Sequence, residues 1–323
     1  MYHRASCGCS QELLHSTVMT RRKRLILFWL CAVFFFITVV PLLLYSFGYR
    51  FSFESWRILR AGGLFITSAP STGTQIFIDG KLMKETTLLS RKLFLQGLTP
   101  QTYHIEIKKN GYFTWEKSLP VRPELVTDVQ ALLIQDGPEG KVLSKGAFAS
   151  LQYIDESNAV LALTGIKNET LFYSIERKTI IPRPATIASS TVELSESARR
   201  VIEEKQPVGF EYDPVTEKIV WWNSSDIWVR WLRGEEYLPL YTEHNEMHLF
   251  HSSYPIRNVS FYPGKDVVIV AYSNVIQTIE LDGRDKHNSY PLYKGKGPEY
   301  IISGDGETMY ILDDEALITV PLS

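Results

Sequence analysis

The sequence has very little cysteine, and none of it lies in the larger, C-terminal part of the chain. The three cysteines of its 323 residues are Cys7, Cys9 and Cys31. Disulfides stabilise small exported domains that cannot build a sufficient core. The chain after residue 31 has no such cross-links, so a conventional apolar core must stabilise it. A hydrophobic content of 45% is sufficient for one or two folded domains.

The sequence also lacks the short motifs by which common enzymes are recognised. It has no Gly-x-Ser-x-Gly elbow, no His-Glu-x-x-His pair, no phosphate-binding Gly-rich loop and no dinucleotide fingerprint. We therefore assign no catalytic, cofactor-binding or metal-binding residue from the sequence, and we expect no cofactor and no enzyme.

An excess of positive charge is absent as well. The chain has 34 Lys and Arg residues against 36 Asp and Glu residues, which gives a net charge of −2. Proteins that bind nucleic acids present a basic patch or stripe to the phosphates. No such stripe is visible here, so we expect no nucleic-acid partner.

What the sequence does contain is one long apolar run, residues 25–45, directly after Arg21-Arg22-Lys23-Arg24. It includes no charged residue. Twenty-one helical residues rise about 31 Å, which matches the hydrocarbon core of a bilayer. We predict a transmembrane signal anchor over residues 25–47, with the lipid bilayer as partner, behind a cytoplasmic tail of residues 1–24.

The basic cluster at residues 21–24 also predicts the orientation, because cytoplasmic flanks retain Lys and Arg. The N-terminus is then cytoplasmic, and the domains after the anchor are extracytoplasmic on a single-pass protein of the cell membrane. A cleaved signal peptide is the alternative. Its apolar region is usually about 7–15 residues and precedes an Ala-x-Ala-like site, and no such site directly follows the apolar run here. Whether Met1 or Met19 is the true start stays open.

Beyond residue 62 the sequence consists of short segments in which apolar and polar residues alternate, separated by turn residues. Thr102–Lys108 alternates, with Tyr103, Ile105 and Ile107 on the face predicted to be buried. Asp79-Gly80 and Asn110-Gly111 are typical of tight turns. The other predicted strands are residues 64–67, 75–78, 91–95, 112–119 and 125–134. Six or seven such strands predict a small β-sandwich.

Residues 62–134 resemble the PEGA domain family. The matching stretches are residues 63–70, 76–81, 98–103 and 108–112, which carry the strand, the Asp-Gly-Lys turn and the Gly-Tyr turn in the family's order. The chain departs from the family at residues 70–74, where Pro-Ser-Thr-Gly-Thr replaces Pro-Glu-Gly-Ala, and at Gln101, where glycine is usual. The resemblance implies an extracytoplasmic β-sandwich joined to other modules, without a general catalytic activity.

A Gly/Pro/Asp-rich linker at residues 135–140 leads into a loose internal repeat over residues 141–323. Each of about four units is a strand, a polar turn, a buried apolar strand and another strand, which resembles the divergent WD40-like and TolB-like β-propellers. The middle runs predicted to be most buried are residues 159–163, 219–222, 267–271 and 309–312. Residues 195–205 are the one segment predicted to be helical.

The repeat leaves its closure open. Four units form a four-bladed ring, an incomplete arc or a stacked β domain, since propellers use about 4–8 blades. An incomplete arc leaves sheet faces bare at its ends. The PEGA-like sandwich or a second copy of the chain would then have to cover them, and only the second of these makes the chain a homo-oligomer.

Four groups of residues have the side chains of a ligand site, and each also has a simpler structural explanation. On a helix, His244, His248 and His251 would share a face and bind a metal, but a polar loop is more typical of this context. Acidic residues at 305–307 and 313–315 suit a hard cation, yet are common in turns. Trp221, Trp222, Trp228 and Trp231 suit sugar stacking, yet fit a core. Sequons begin at Asn168, Asn223 and Asn258.

Together these features predict a membrane-anchored binding or scaffold protein of the cell envelope, whose partner is an envelope protein or polysaccharide. The alternative is a surface hydrolase or carbohydrate-processing enzyme with a site assembled from propeller loops. A pocket lined by two facing carboxylates would favour the enzyme, and a featureless or shallow aromatic surface would favour binding.

Overall fold

The computed structural model describes residues 20–52, 57–138, 140–146, 148–154, 160–165, 169–184 and 193–322. The chain forms two compact units, Met1–Ala61 and Gly62–Ser323. The first contains helix α1 (Arg21–Ser46) and a hairpin of β1 (Tyr49–Ser52) and β2 (Arg57–Arg60). The predicted fold class, an all-β region behind one N-terminal helix, is confirmed.

Helix α1 is apolar on all sides, and none of its residues is buried against the rest of the chain. Its one polar interruption is satisfied internally, because the Thr38 hydroxyl donates to the Phe34 carbonyl at 2.8 Å. Among the described residues, α1 is the one helix that is long enough and apolar enough to cross a bilayer, although a signal sequence has the same properties. The helix begins at Arg21, four residues before the apolar run, because Arg and Lys are good helix formers.

The second unit begins with seven strands in two sheets. One sheet has the order β6-β3-β9, with β3 and β9 parallel, and the other has the order β5-β4-β7-β8. The bounds are β3 Gly62–Ala69, β4 Gln75–Ile78, β5 Lys81–Glu85, β6 Lys92–Leu98, β7 Thr102–Lys108, β8 Trp115–Pro120 and β9 Val126–Leu132. Strand β5 was not predicted from the sequence, because its exposed residues lack a clear apolar alternation.

The two sheets share one core, as expected for a sandwich. Tyr103, Ile105 and Ile107 of β7 are buried in it, which confirms their prediction. Leu64 and Ile66 of β3 face them from the other sheet. Both predicted tight turns are present, with positive φ at Asp79, Gly80 and Gly111.

The remaining strands form four four-stranded antiparallel sheets. The first sheet has β11 Phe148–Tyr153, β12 Val160–Gly165, β13 Thr170–Ser174 and β14 Thr179–Ile181; the second has β15 Gly209–Asp213, β16 Lys218–Trp222, β17 Asp226–Trp231 and β18 Glu246–His251; the third has β19 Ile256–Phe261, β20 Val267–Tyr272, β21 Val275–Glu280 and β22 Ser289–Lys294. The fourth joins β23 Glu299–Ile302, β24 Thr308–Asp313 and β25 Ala316–Pro321 with β10 Lys141–Lys145. A 3₁₀ turn spans Glu235–Tyr237.

Strand β10 pairs with β25, so the first strand of this region completes its last sheet. Edge strands of different sheets also contact each other: β15 with β19, β19 with β23 and β11 with β23. Apolar clusters join the second sheet to the third, the third to the fourth and the fourth to the first.

The middle strands are the buried ones. Residues 219–222, 267–271 and 309–312 are all buried, as are Leu161, Ala162 and Leu163. The predicted burial of these runs is therefore confirmed, except that Val160 is only partly buried and Ala159 lies outside the described residues.

The predicted helix is present as α2 (Glu196–Lys205). The Ser195 hydroxyl accepts the Ala198 N–H at 3.2 Å, which caps its N-terminus. Ala198 and Val201 pack against Ile219 and Trp221 of the second sheet. Helix α2 thus covers one face of the second sheet.

Candidate functional site

A fully buried lysine joins the four-stranded sheet β5-β4-β7-β8 to the third sheet. Strand β8 alternates, so Trp115, Lys117 and Leu119 all point inward. The side chain of Lys117 has no exposed surface. Its Nζ lies 3.1 Å from Oε2 of Glu280 and 3.4 Å from Oδ2 of Asp282, and it also donates to the carbonyl of Asp282. A buried ammonium needs such partners, because an unpaired charge in the interior is very costly.

The two carboxylates are held by further groups. Glu280 accepts the Trp115 indole N–H at 3.3 Å and the Asn288 amide at 3.1 Å. Asp282 accepts two contacts from the guanidinium of Arg284, at 3.0 Å from Nε and 2.8 Å from Nη2. We call Lys117, Glu280, Asp282 and Arg284 the seam network.

The environment shifts the pKa values of Glu280 and Asp282 in opposite directions. Burial raises the pKa of Glu280 above its usual value, and the attraction of Lys117 only partly opposes this. Burial also acts to raise the pKa of Asp282, but the hydrogen bonds and charge of Arg284 together with Lys117 outweigh it, so the pKa of Asp282 is lowered. Two nearby carboxyl groups therefore differ in proton affinity.

The seam network borders a cavity of about 150 Å³, which we call the seam cavity. Its walls include Asp128 and Gln130 of β9 together with Glu280, Asp282 and Asp266. Asp266 is itself paired, because Nζ of the buried Lys218 lies 2.8 Å from its Oδ1. Glu280, Asp282 and Asp266 thus each have a cation of the chain beside them, whereas Asp128 accepts the Gln130 side-chain amide.

A second cavity of about 220 Å³ adjoins the first, and the two share Ala69, Leu132 and Lys265 as lining residues. It is mainly apolar, with Tyr262 and Leu322 among its walls, and we call it the apolar cavity. Lys265 is exposed and lies at the boundary of both. The arrangement offers a charged chamber and an apolar chamber side by side.

A third depression of about 530 Å³ lies between the first and fourth sheets. Its charged lining residues, Lys141, Glu176, Lys178 and Asp305, are all exposed. It therefore lacks the buried charges that distinguish the seam cavity.

Glu211 is a further titratable group, on an edge strand of the second sheet. It lies on β15, and its Oε1 accepts the backbone N–H of Phe261 on β19 at 3.2 Å. Burial raises the pKa of Glu211 to about 7, with a smaller contribution from the charge of Asp213, while the bond from Phe261 acts to lower it.

The raised pKa of Glu211 predicts a pH dependence of stability. The folded state holds this proton more tightly than the unfolded chain, so the free energy of unfolding should fall as the pH rises from 4.5 to about 7. Glu211→Gln keeps an acceptor and removes the charge. It should exceed the wild type by about 1–2 kcal/mol at pH 8 and match it near pH 4.5. Urea unfolding at both values tests this, with the exposed Glu203→Gln as control; an equal effect at both pH values would contradict it.

The histidines do not lie on a helix. His248 and His251 belong to strand β18, and His244 precedes it, so the prediction of a polar loop is wrong for His248 and His251. His248 and His251 instead both contact Asp226 of β17. Among the residues that the structure describes, no group of three or more His, Cys, Asp or Glu side chains could hold a metal ion.

The other weighed residues take structural roles. Asp305 accepts from Ser303 and from the backbone N–H of Glu307, within a turn. Asp313 is buried and accepts the Tyr293 hydroxyl and the backbone N–H groups of Lys296 and Gly297.

The tryptophans and sequons follow the same pattern. Trp221, Trp222 and Trp231 are buried in the core. Asn223 caps a turn and Asn258 donates to the Tyr300 carbonyl, whereas Asn168 lies outside the described residues.

The sequence reasoning missed the seam network. One signal was available: Lys117 occupies an inward position between Trp115 and Leu119, where an alternating strand normally carries an apolar residue. Its acidic partners are more than 160 positions away along the chain, and nothing in one sequence pairs them.

No protein-family profile and no curated protein matches the chain. Solved structures give distant likenesses. The extracellular domain of a hybrid two-component system from Bacteroides thetaiotaomicron has a TM-score of 0.27 and 7% identity over 85% of this chain and 31% of that one. Kluyveromyces lactis Hsv2 has a TM-score of 0.27 and 10% identity over 80% and 74%. An auxiliary nutrient binding protein from B. thetaiotaomicron has a TM-score of 0.24 and 11% identity over 77% and 78%.

The present chain therefore spans less than a third of the length of that extracellular domain. At these TM-scores the likenesses carry no inference, and the functional argument rests on the chain's own residues.

Proposed function

We propose that this chain is a single-pass membrane protein whose all-β part lies outside the cytoplasm and binds an envelope protein or polysaccharide. The seam cavity and the apolar cavity together form the proposed binding site. The observation that carries this proposal is the pairing of the seam carboxylates: Glu280 and Asp282 each contact Lys117, and Asp266 contacts Lys218. Groups fixed in this way can recognise a ligand, but none stands free as a nucleophile.

The size of the two cavities supports a large partner. Sites for whole small molecules usually enclose about 300–1,000 Å³. Cavities of about 150 and 220 Å³ accept one or two groups of a longer polymer or protein. A partner with one polar and one apolar group at its contact point fits the two chambers.

The proposed location is supported by α1. Its length and composition suit a bilayer, and four basic residues begin it. The positive-inside rule then directs the N-terminus to the cytoplasm.

Protease added to intact cells should therefore digest everything beyond about residue 50 and leave the anchor with its basic end. Antibodies against the C-terminus and against the residues before Arg21 would follow the two parts. Protection of the C-terminal region would overturn the orientation. A mature chain lacking residues 1–47 would show a cleaved signal peptide instead.

Photo-crosslinking tests the binding site. A benzoyl-phenylalanine placed at Lys265, which borders both cavities, should form an adduct with an envelope component in intact cells. The same group at Lys145, an exposed residue of β10 that lines neither cavity, is the control. Adducts of equal yield at both positions, or at neither, would count against this site.

One observation favours an enzyme as the second candidate. Glu280 has a raised pKa and Asp282 a lowered one, and such a separation is typical of an acid and base pair in glycoside hydrolysis. In that case purified envelope polysaccharide would gain reducing ends on incubation with the full chain, and Glu280→Gln would abolish the gain. A wild-type chain that releases no reducing ends, while Lys265 crosslinks, favours binding.

A further inference from the structure

A tight turn between β5 and β6 carries two leucines at its tip. The backbone N–H of Thr87 donates to the carbonyl of Ser90 at 3.2 Å, and the N–H of Ser90 donates back to the carbonyl of Thr87 at 3.2 Å. Leu88 and Leu89 lie between them, with exposed fractions of 69% and 100%. Turn positions usually carry Gly, Pro, Asn, Asp or Ser, so two exposed leucines at this place need an explanation.

Hydrogen bonds hold the turn at its base. The backbone N–H of Thr86 donates to the Thr74 carbonyl at 2.8 Å, and the buried Thr86 hydroxyl accepts the Thr74 N–H at 2.9 Å. Nε of Arg91 donates to the Leu88 carbonyl at 3.1 Å. The two leucines are therefore presented to the outside by a hydrogen-bonded turn.

The strands on both sides of the turn carry further exposed apolar side chains. Leu82 and Met83 of β5 are 47% and 40% exposed, and Phe94 of β6 is 48% exposed. Strands β5 and β6 are the edge strands of their sheets. We call residues 81–94 the tip segment. Exposed apolar side chains gathered in one region mark contact sites for proteins or membranes.

The tip segment is also basic, unlike the chain as a whole. It contains Lys81, Lys84, Arg91 and Lys92 against one acid, Glu85, whereas the chain has a net charge of −2. The ammonium group of Lys84 donates to the carbonyl of Lys92, so it lies across the base of the turn. Apolar side chains beside Lys and Arg are typical of segments at a membrane surface, where the basic groups meet anionic headgroups.

The connection to α1 keeps the tip segment within reach of a bilayer. The backbone N–H of Ala61 donates to the carbonyl of Gly48 at 2.8 Å, so the chain returns to the end of α1 before β3 begins at Gly62. Strand β6 pairs along β3. The turn thus lies about one strand length, roughly 26 Å, from Gly62. A contact made by a tethered segment is intramolecular, so even a weak attraction to lipid is effective.

We propose that the turn docks on the outer surface of the bilayer that contains α1, with Leu88 and Leu89 among the acyl chains and Arg91 and Lys92 at anionic headgroups. This inference rests on the membrane anchoring proposed above. The basic side chains and the tether favour lipid over a protein as the occupant. Docking limits the orientations in which the seam cavity and the apolar cavity meet their partner.

Fluorescence in vesicles tests the contact. The full chain carries Ser90→Cys labelled with nitrobenzoxadiazole, has Cys7, Cys9 and Cys31 replaced by Ser, and is reconstituted in phosphatidylcholine vesicles that contain phosphatidylglycerol. Nitroxide groups on the acyl chains should quench this label at least about threefold more than the same label at Val215→Cys, which is 78% exposed in the second sheet.

Substitutions at exposed positions show whether the leucines cause the quenching. Leu88→Ser together with Leu89→Ser should reduce quenching at residue 90 to the level at residue 215. The matched control is Val208→Ser together with Val215→Ser, which removes two side chains that are 74% and 78% exposed elsewhere. It should leave the quenching at residue 90 unchanged, and an equal loss in both double variants would overturn the role of the leucines.

A label inside α1 separates this inference from the proposed anchoring. A chain labelled at Cys31, with Cys7 and Cys9 replaced by Ser, reports whether the helix lies in the bilayer. Quenching at Cys31 without quenching at residue 90 overturns the docking of the turn alone. No quenching at Cys31 overturns the anchoring, and this inference with it.

Lipid charge and a second copy of the chain are the remaining arms of the test. Vesicles of phosphatidylcholine alone should quench the label at residue 90 less, because the basic residues lose their anionic partners. Equal quenching in both lipids would overturn the headgroup contact. If the turn docks on a second copy instead, the label stays unquenched and a short bis-maleimide joins two chains through Ser90→Cys, which would overturn the proposal.

Discussion

Lys117→Met should destabilise the second unit by about 3–5 kcal/mol, because it leaves two buried carboxylates without their shared cation. Methionine has a similar volume, so the core of β8 should lose little packing. Urea unfolding of the full chain in detergent, followed by tryptophan fluorescence, measures the change in the free energy of unfolding.

The control is another lysine of the same region. Nζ of Lys286 lies 2.7 Å from Glu116, and both side chains are nearly half exposed. Exposed pairs contribute little, so Lys286→Met should cost less than about 1 kcal/mol. Equal losses for the two variants would show that the burial of Lys117 has no special energetic weight.

The pH dependence sharpens this prediction. The pKa of Glu280 is already raised in the fold, and removal of Lys117 takes away the attraction that opposes the rise. A folded-state pKa above the unfolded value means that stability falls as the pH rises between the two values. The loss caused by Lys117→Met should therefore be larger at pH 8 than at pH 5. Adding Glu280→Gln to Lys117→Met should recover part of it at pH 8.

The anchor and most strands follow from patterns local to the sequence. The apolar run beside four basic residues predicts α1, and alternation predicts β7 with its buried Tyr103, Ile105 and Ile107. Residues 195–205, with Glu and Arg on the predicted outer face, predict α2. In each case neighbours in sequence decide the conformation.

The candidate site could not be predicted in this way. Lys117 meets Glu280 and Asp282 only because the sheet that contains β8 packs against the third sheet, and that contact depends on tertiary structure. The histidines show the same limit at shorter range: His248 and His251 have the spacing of one helical face, yet they share a face because of a bulge at Leu249. A bulge depends on the register of two strands, which spacing in one strand does not encode.

The seam network also affects the stability that residues 62–134 would have as an isolated fragment. These residues have their own core cluster, which favours independent folding. An isolated fragment, however, would expose Lys117 and the indole N–H of Trp115 at the surface left by the third sheet. We predict that the fragment folds alone but is less stable than the same residues in the full chain.

Gly62→Ala should destabilise the second unit by about 3 kcal/mol, because no space exists for a methyl group at the start of β3. A Cβ at this position would lie 2.3 Å from the carbonyl oxygen of Arg122 and 2.5 Å from Cγ1 of Val121. The first of these is a backbone atom that cannot rotate away, so the segment before β9 must move. That segment aligns β9 beside β3, and the far ends of these two strands line the seam cavity.

Gly297→Ala is the matched control for Gly62→Ala. No atom lies within 4 Å of a Cβ built at Gly297, and its φ is not positive, so the substitution should change the free energy of unfolding by less than about 0.5 kcal/mol. The backbone N–H of residue 297 would still donate to Asp313. Urea unfolding of both variants compares them directly, and crosslinking from Lys265 shows whether the cavity is altered. If Gly62→Ala were as stable as Gly297→Ala, the close approach of residues 121–125 to β3 would be wrong, and with it the alignment of the two strands that line the seam cavity.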